Sequence, residues 1–376
     1  MDRNIPLLVL SLIPGIGPAR IKAVVSRFPD LRELGHAGIN DLTPVPGIGE
    51  PLARQILSFL HHPAKQQDAL KAAEEQLEKL HRIQGSIVTL LDAQYPRLLR
   101  ETDDPPPYLF IRGALPSTPF IAVVGTRKAS PYGRQCAAMF SGELAANGFT
   151  VCSGMAYGID MAAHHAALES GGSTVAVLAG GIDNIYTDPK GKLWPRIVEQ
   201  GALVSEEWIG SELSPAKFPK RNRIIAGISA GTLVVESDLD GGALITADFA
   251  LEQNREVFAI PGNIFSHQSR GTNRLIQQGQ AKSVTGIGDI LSELQEFRRN
   301  PSENDSPRNN LRDFQLDGPE MEIMEKMGRD TLHIDLLAEK TGIDIDALLV
   351  HLFDLELKNA VEQLPGQMFR KRLTSH

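Results

Sequence analysis

The 376-residue sequence predicts an α/β protein. Its centre is an extended Rossmann-like, mostly parallel sheet, between an N-terminal helical domain (helix–hairpin–helix, SAM-like) and a C-terminal winged-helix domain. Three observations predict this. Six short apolar runs between residues 120 and 260 end in Gly, Ser or an acid, and each leads into a helical stretch. A Pro-Gly-Ile-Gly motif occurs twice near the N-terminus. From about residue 319 the pattern is helix, turn, helix and hairpin. The expected boundaries are 1–83, 84–297, a linker at 298–318, and 319–376.

Composition narrows the function classes. Net charge is −8, apolar content 42% and charged content 22%, an ordinary globular balance. The acidic total excludes an all-over nucleic-acid coat, so any such site must be local. No apolar run reaches the ~18 residues of a membrane span. Met1 to Pro6 has no signal-peptide layout, and Leu7 to Ile13 is broken by Pro14. A cytoplasmic protein without membrane contact is expected. Cys136 and Cys152 make no metal or disulfide framework.

At the N-terminus, Ile13-Pro14-Gly15-Ile16-Gly17 recurs as Val45-Pro46-Gly47-Ile48-Gly49, offset by 46 − 14 = 32 residues. Helix-like sequence lies at Leu7–Ile13, Ala19–Val25 and Leu52–Leu60. The glycines permit a tight turn, and the next helix start can present N–H groups to a phosphate. Such pairs serve DNA binding or plain packing, and both stay open. Glu33, Asp41 and Glu50 weigh against DNA. Residues 64–82 read as a charged, solvated connector helix. Residues 84–119 are Pro-rich, which argues against a helix and for an extended lead-in along the sheet edge.

The strands expected for the sheet are Ile121–Val124, Thr150–Cys152, Thr174–Leu178, Ala202–Val204, Thr232–Val235 and Val257–Ile260. Wholly apolar runs alternating with helices imply a sheet covered on both faces. Ligands of such sheets bind beyond the strands' carboxyl ends. The first run closes on Gly125-Thr126-Arg127-Lys128, which is neither G-x-G-x-x-G nor a P-loop. The second closes on Ser153-Gly154, with Asp160 placed to cap the helix carrying His164 and His165. A Ser153–His164–Asp160 triad carries little weight, because the turn is not a G-x-S-x-G elbow.

The strongest local signal is Lys217-Phe218-Pro219-Lys220-Arg221-Asn222-Arg223. Four cations fall within seven residues with no acid among them. At a helix start they add to the positive end of the dipole. Arg221 and Arg223 diverge around the helix, so at least one is open to pairing with an acid. Asn222 can cap or meet a phosphate. Gly242, Ala243 and Thr246, after a second glycine turn, form a candidate phosphate cradle. Phe218 and Tyr157 are the candidates for base stacking, with Phe218 expected partly buried. In the segment Arg270–Gly279, Asn273, Leu275 and Ile276 are candidates for a subunit contact. In the tail, Ile334–Lys340 and Ile345–Lys358 read as helix–turn–helix and Ala360–Arg370 as a wing. The second of those helices carries Asp344, Asp346, Asp354 and Glu356, so a protein contact is expected rather than major-groove reading.

The motifs Gly125-Thr126-Arg127, Ser153 to Asp160, Phe218 to Gly227 and Gly242 to Ala247, in that order, resemble the DNA-processing protein A (DprA/Smf) family. Pro261-Gly262-Asn263 and Gly271 to Gly279 extend the match, which covers about 84–296. The chain departs from the family pattern at Gly180–Asp183 and Tyr186–Pro189, where a cysteine and a Tyr-Pro pair are commoner, and at Gly241, where serine is common. The resemblance implies a non-catalytic, cofactor-free homodimer. It implies a protein that binds and protects single-stranded DNA and loads the recombinase RecA in natural transformation. It makes Arg127 and Lys220 the principal DNA contacts. About four phosphates neutralised would give a log–log salt slope near −3. The alternative is a nucleotide-binding enzyme, a nucleoside monophosphate phosphoribohydrolase, on the partial echo Ala230-Gly231-Thr232 to Glu236.

Overall fold

A computed structural model describes residues 4–298, 318–327, 332–358, 360–364 and 367–371. It divides at 299/300 into two compact units. Nearly all of the expected linker, 298–318, lies outside the described residues.

Among the described residues of the first unit, nine strands form one sheet. They are β1 (Gly85–Thr89), β2 (Tyr108–Gly113), β3 (Phe120–Val124), β4 (Thr150–Ser153), β5 (Thr174–Val177), β6 (Gly201–Ser205), β7 (Gly231–Val234), β8 (Glu256–Ala259) and β9 (Lys282–Ser283). Their order is β1-β2-β6-β5-β4-β3-β7-β8-β9. The run from β6 to β9 is parallel, while β1 and β2 join antiparallel at the β6 edge. All six strands expected from the sequence lie in the parallel part. The strand order reverses between β3 and β7, a parallel pair that sets Ile121 against Gly231. That reversal is the topological switch point, where the strand ends splay and leave a crevice.

Strand alternation builds the two faces. Ala122 and Val124 of β3 join a core with Ile224, Ile225, Ala243 and Ala247, from the helices Lys217–Ile228 and Gly242–Glu252. Ile121 and Val123 join the other core with Phe140 and Ile159, from the helices Pro131–Ala146 and Ile159–Glu169.

The repeated turns form as their glycines require. Gly15 and Gly47 have φ of 81° and 77°. Gly17 and Gly49 are extended and sit at the N-caps of the helices Pro18–Arg27 and Glu50–Leu60. Two expectations fail in this part of the chain. The helix Pro63–Arg82 is not a solvated connector: it buries Ala69, Ala73, Gln76 and Leu80. The Gln76 amide clasps the backbone of Ile209, accepting from its N–H at 2.9 Å and donating to its carbonyl at 3.2 Å. The Pro-rich stretch also holds a short helix, Arg97–Glu101. Pro96 stands at its N-cap, where a missing N–H costs nothing.

The second unit has the helices Gly318–Met327, Ile334–Thr341 and Ile345–Leu357 with the strands β10 (Leu332–His333), β11 (Val361–Leu364) and β12 (Met368–Lys371), in order β10-β12-β11. Gly342 ends the middle helix in the left-handed region, at φ 68°. Leu348, Leu352 and Leu355 face the core, whereas Ile345, Leu349, Val350 and Phe353 are exposed. The expected wing turn, Pro365-Gly366, lies outside the described residues.

Candidate nucleic-acid interface

Most of the residues singled out in the sequence line one open cleft at the switch point. Gly125, Thr126, Arg127 and Lys128 follow β3; Phe218, Arg221 and Asn222 come from one helix; Gly242, Ala243 and Thr246 come from the next. The cleft holds about 380 Å³.

The loop after β3 is held from both sides. Thr126 donates its N–H to the Glu236 carbonyl at 2.8 Å, and its own carbonyl accepts from Ile159 N at 3.3 Å. Gly158, at φ 86°, lies so close to the Thr126 and Arg127 carbonyls that a Cβ would overlap them. The backbone is therefore fixed, and the side chains of Arg127 and Lys128 are turned to solvent. Arg127 stacks on Phe218, with its guanidinium carbon 5.0 Å from the ring centre. Phe218, half-buried as expected, meets Tyr186 edge-on at 6.2 Å. Among the described residues, neither Arg127 nor Lys128 is in an ion pair with a carboxylate. Tyr157 is 52% exposed. Tyr186, which the sequence reading did not select, is exposed beside Phe218; its only signal was an aromatic in the turn after β5.

The basic segment divides, and here the sequence reading needs correction. Arg221 is buried. Its guanidinium donates to the carbonyls of Gly154 (2.7 Å) and Val177 and to Asn222 Oδ1 (3.1 Å). Burial pulls its pKa down, against the pull of Asp160. Burial likewise pushes the Asp160 carboxyl up, against the Arg221 charge and the N–H groups of Ala156 and Gly154. Arg223 is also buried, paired with Glu206 at 2.5 Å and bound to the Asp104 carbonyl. Arg223 lies outside the cleft lining, and Arg221, at the cleft floor, has its guanidinium engaged by the chain itself.

Lys217 lies 3.0 Å from Glu207, and Lys220 lies 3.1 Å from Glu207 and 3.6 Å from Glu206. No acid lies inside the segment, but Glu206 and Glu207, after β6, fold back onto it. Lys220 keeps 48% of its side chain exposed and remains open to an anion. Glu207 shows which force wins: burial would raise its pKa, but the hydrogen bond from Lys217 and the charge of Lys220 hold it below the usual range. Burial pushes Glu206 up, against Arg223 and Lys220.

Other selected residues have internal roles. Ser153 is fully buried and donates to the Val123 carbonyl at 2.6 Å. Gly154 faces the Arg221 guanidinium, 2.6 Å from where a Cβ would stand, so an arginine rather than a ligand fills that space. Asp160 is not an N-cap; it accepts from Gly154 N and Ala156 N at 3.1 and 3.2 Å. His164 bonds Thr174 at 2.7 Å, so no triad forms with Ser153. Asn222 donates to the Gly242 carbonyl at 3.2 Å and ties the two cleft helices together. Leu275 is buried in its own core, Ile276 packs against that core, and Asn273 bonds both backbone groups of Gly262. Leu275 is thus taken up by the chain's own core, whereas Asn273 and Ile276 keep part of their surface open.

The family model for DNA recombination-mediator protein A matches residues 86–295. Models for a DprA winged helix domain and a helix-hairpin-helix motif match 307–367 and 7–70. Protein Smf of Escherichia coli is 37% identical over 329 residues, covering 86% of each chain. DNA processing protein DprA of Bacillus subtilis is 40% identical over 222 residues, 57% of this chain and 74% of that one. The crystal structure of DprA from Streptococcus pneumoniae superposes with a TM-score of 0.65 at 33% identity, covering 77% of this chain and 97% of the other. DprA from Helicobacter pylori, whose structure is described for its single-stranded DNA binding mode, superposes at 0.51 with 27% identity, over 57% of this chain and 96% of the other.

Proposed function

The chain belongs to the DNA-processing protein A (DprA/Smf) family, and on that footing we propose that it binds single-stranded DNA in the switch-point cleft. The wider reading is a non-catalytic, cytoplasmic homodimer that protects incoming strands and loads RecA in natural transformation. One observation carries the DNA reading. Arg127 stands at the carboxyl end of the central strand, stacked on Phe218 and unpaired with any described carboxylate. Across the cleft is the N-terminus of the helix Gly242–Glu252. A cation, an aromatic face and helix N–H groups together suit a phosphodiester with its base. The single-stranded DNA binding described for the Helicobacter pylori relative supports the same assignment.

Binding of this kind is indifferent to sequence and steep in salt. The cleft offers Arg127 and Lys128, with the half-open Lys220 beside its lining residues Pro219 and Arg221, rather than four free cations. A slope near −2 is expected, from about −0.7 per phosphate. Filter binding of oligo-dT by wild type, Arg127→Glu and Lys220→Glu tests the site. Both variants should fold and bind far more weakly; undiminished affinity in both would remove the cleft from consideration. The winged helix, with exposed Ile345, Leu349 and Phe353 beside Asp346 on one helix, suits a protein contact better than a DNA groove.

The phosphoribohydrolase alternative relied on Gly231 and Thr232 lying in a loop. Both lie inside β7, with Thr232 fully buried and Gly231 packed against the Phe258 ring. Incubation with AMP should release no adenine.

A further inference from the structure

Beyond the switch-point cleft, the loop between β8 and the helix Arg270–Gln277 holds two large apolar side chains out in solvent. Ile264 is 75% exposed and Phe265 88%. Their position is built rather than loose. The Asn263 side-chain oxygen accepts from Phe265 N at 2.9 Å, and its carbonyl accepts from Ser266 N at 2.9 Å. One residue earlier, Gly262 is clasped by the Asn273 amide at 3.1 and 3.0 Å. The same loop walls a pocket of about 450 Å³, shared with Ser130, Tyr132 and Glu236.

We propose that this loop is a nucleobase subsite, in which a base of the single strand leaving the switch-point cleft stacks on Phe265, next in the chain to Ser266, which lines the pocket with Tyr132 and Asn263. The proposal rests on the single-stranded DNA reading of the cleft. Three features favour a base over a phosphate or an apolar side chain. The pocket contains the Glu236 carboxylate, whose two oxygens are taken by Ser130 at 2.9 and 2.5 Å; an acid repels a phosphate. Arg270, the nearest cation along the loop, is spent on Asp238 at 2.8 Å. Apart from Pro261 and Gly262, the remaining lining is aromatic, amide or hydroxyl. The Asn263 NH2 has no partner among the described residues and suits a base carbonyl. The Tyr132 hydroxyl donates to the Pro261 carbonyl at 2.9 Å and has the Cys136 thiol beside it, which leaves it one lone pair to accept.

The two sites are within one strand's reach. Lys128 lines the cleft and Ser130 lines the pocket, two Cα steps or at most about 7.6 Å apart. Exposed Lys128 stands between them to carry the backbone. Aromatic faces take any base, so the subsite adds affinity without reading sequence.

The test compares oligo-dT with an abasic oligomer of equal length and charge. Wild type should prefer oligo-dT. Phe265→Ser, at an exposed position, should lose about tenfold on oligo-dT, in the range of one stacked base. Its abasic affinity and salt slope should stay the same, and Phe265→Trp should restore the preference. An unchanged preference in Phe265→Ser overturns the subsite. A drop in sedimentation mass of Phe265→Ser with the preference intact overturns it too, because the patch then covers a second copy of the chain. Failure of wild type to bind either oligomer would remove the parent reading and the subsite together, and it differs from the other outcomes in the wild-type control.

Discussion

Replacing Glu207 by glutamine should make the chain bind single strands more tightly. The Glu207 carboxylate lies 3.0 Å from Lys217 and 3.1 Å from Lys220 and holds both ammonium groups back from the cleft. Its pKa is depressed, so it is charged throughout the neutral range and the gain should not depend on pH between about 6 and 8. Glutamine keeps the shape and an acceptor oxygen but removes the charge. With a phosphate on Lys220 roughly 6 Å from that position, the lost repulsion is about 0.7 kcal/mol at a dielectric of ~80 and about 3 kcal/mol at ~20. Lys220 is half exposed, which places the effect near the lower figure, about 1 kcal/mol or roughly fivefold in Kd. One more counterion should be released on binding, steepening the log–log salt slope by about 0.7. Fluorescence anisotropy of labelled oligo-dT across a salt series reads both quantities. A Glu207→Gln protein with unchanged or weaker affinity and an unaltered slope would mean that Lys217 and Lys220 lie off the strand's path.

The buried arginines should behave as structure. Arg223→Ala leaves the buried Glu206 with only Lys220, 3.6 Å away, and should cost about 3 kcal/mol in urea unfolding, against at most about 1 kcal/mol for Lys220→Ala; equal costs would contradict the division of the segment. Gly154→Ala puts a methyl 2.6 Å from the Arg221 guanidinium and should lower stability by about 1–3 kcal/mol, together with oligo-dT affinity. Burial drives His164 from its ordinary 6.5 down to about 3, so the folded chain prefers the neutral ring. The unfolded chain then binds more protons as pH falls, and stability is complete above about 6.5 and lost below it, by up to about 1.4 kcal/mol per pH unit. Urea midpoints of wild type should fall between pH 7.5 and 5.5 more steeply than those of His164→Asn, and parallel curves would count against a buried neutral imidazole.

The sheet was legible because its strands are apolar on both faces and each is closed by a glycine, serine or acid. Val123-Val124-Gly125 and Val234-Val235-Glu236 announce a covered strand and its end without any knowledge of neighbours. The Pro-Gly-Ile-Gly turns were legible for a similar local reason: only glycine takes the φ of Gly15 and Gly47 easily. What stayed hidden was the partner of each charge. Glu206 and Glu207 are ten or more residues from the cations they neutralise, and only the β6 turn brings them back. One signal was available and unused. Arg221, Ile224, Ile225 and Ile228 fall at i, i+3, i+4 and i+7, a single helix face, and three isoleucines on that face place the arginine inside. The spacing i, i+4, i+7 and i+11 over Ala69, Ala73, Gln76 and Leu80 likewise marks the inner face of the helix Pro63–Arg82.

Why should a site for a polyanion bury two of its cations? The carboxyl ends of parallel strands present carbonyl oxygens, and an uncompensated rim of them would repel phosphate. Arg221 answers the carbonyls beyond β4 and at the end of β5, those of Gly154 and Val177, and reaches Asn222, which in turn holds the Gly242 carbonyl at the next helix start. One planar guanidinium thus fixes three chain segments that line or flank the cleft and cancels the partial negative charge of the rim. A lysine could not replace it: an ammonium is a point charge without the rigid fork that meets several acceptors in one plane. With the rim neutralised from below, the exposed pair Arg127 and Lys128 can set the sign of the cleft even on a chain of net charge −8.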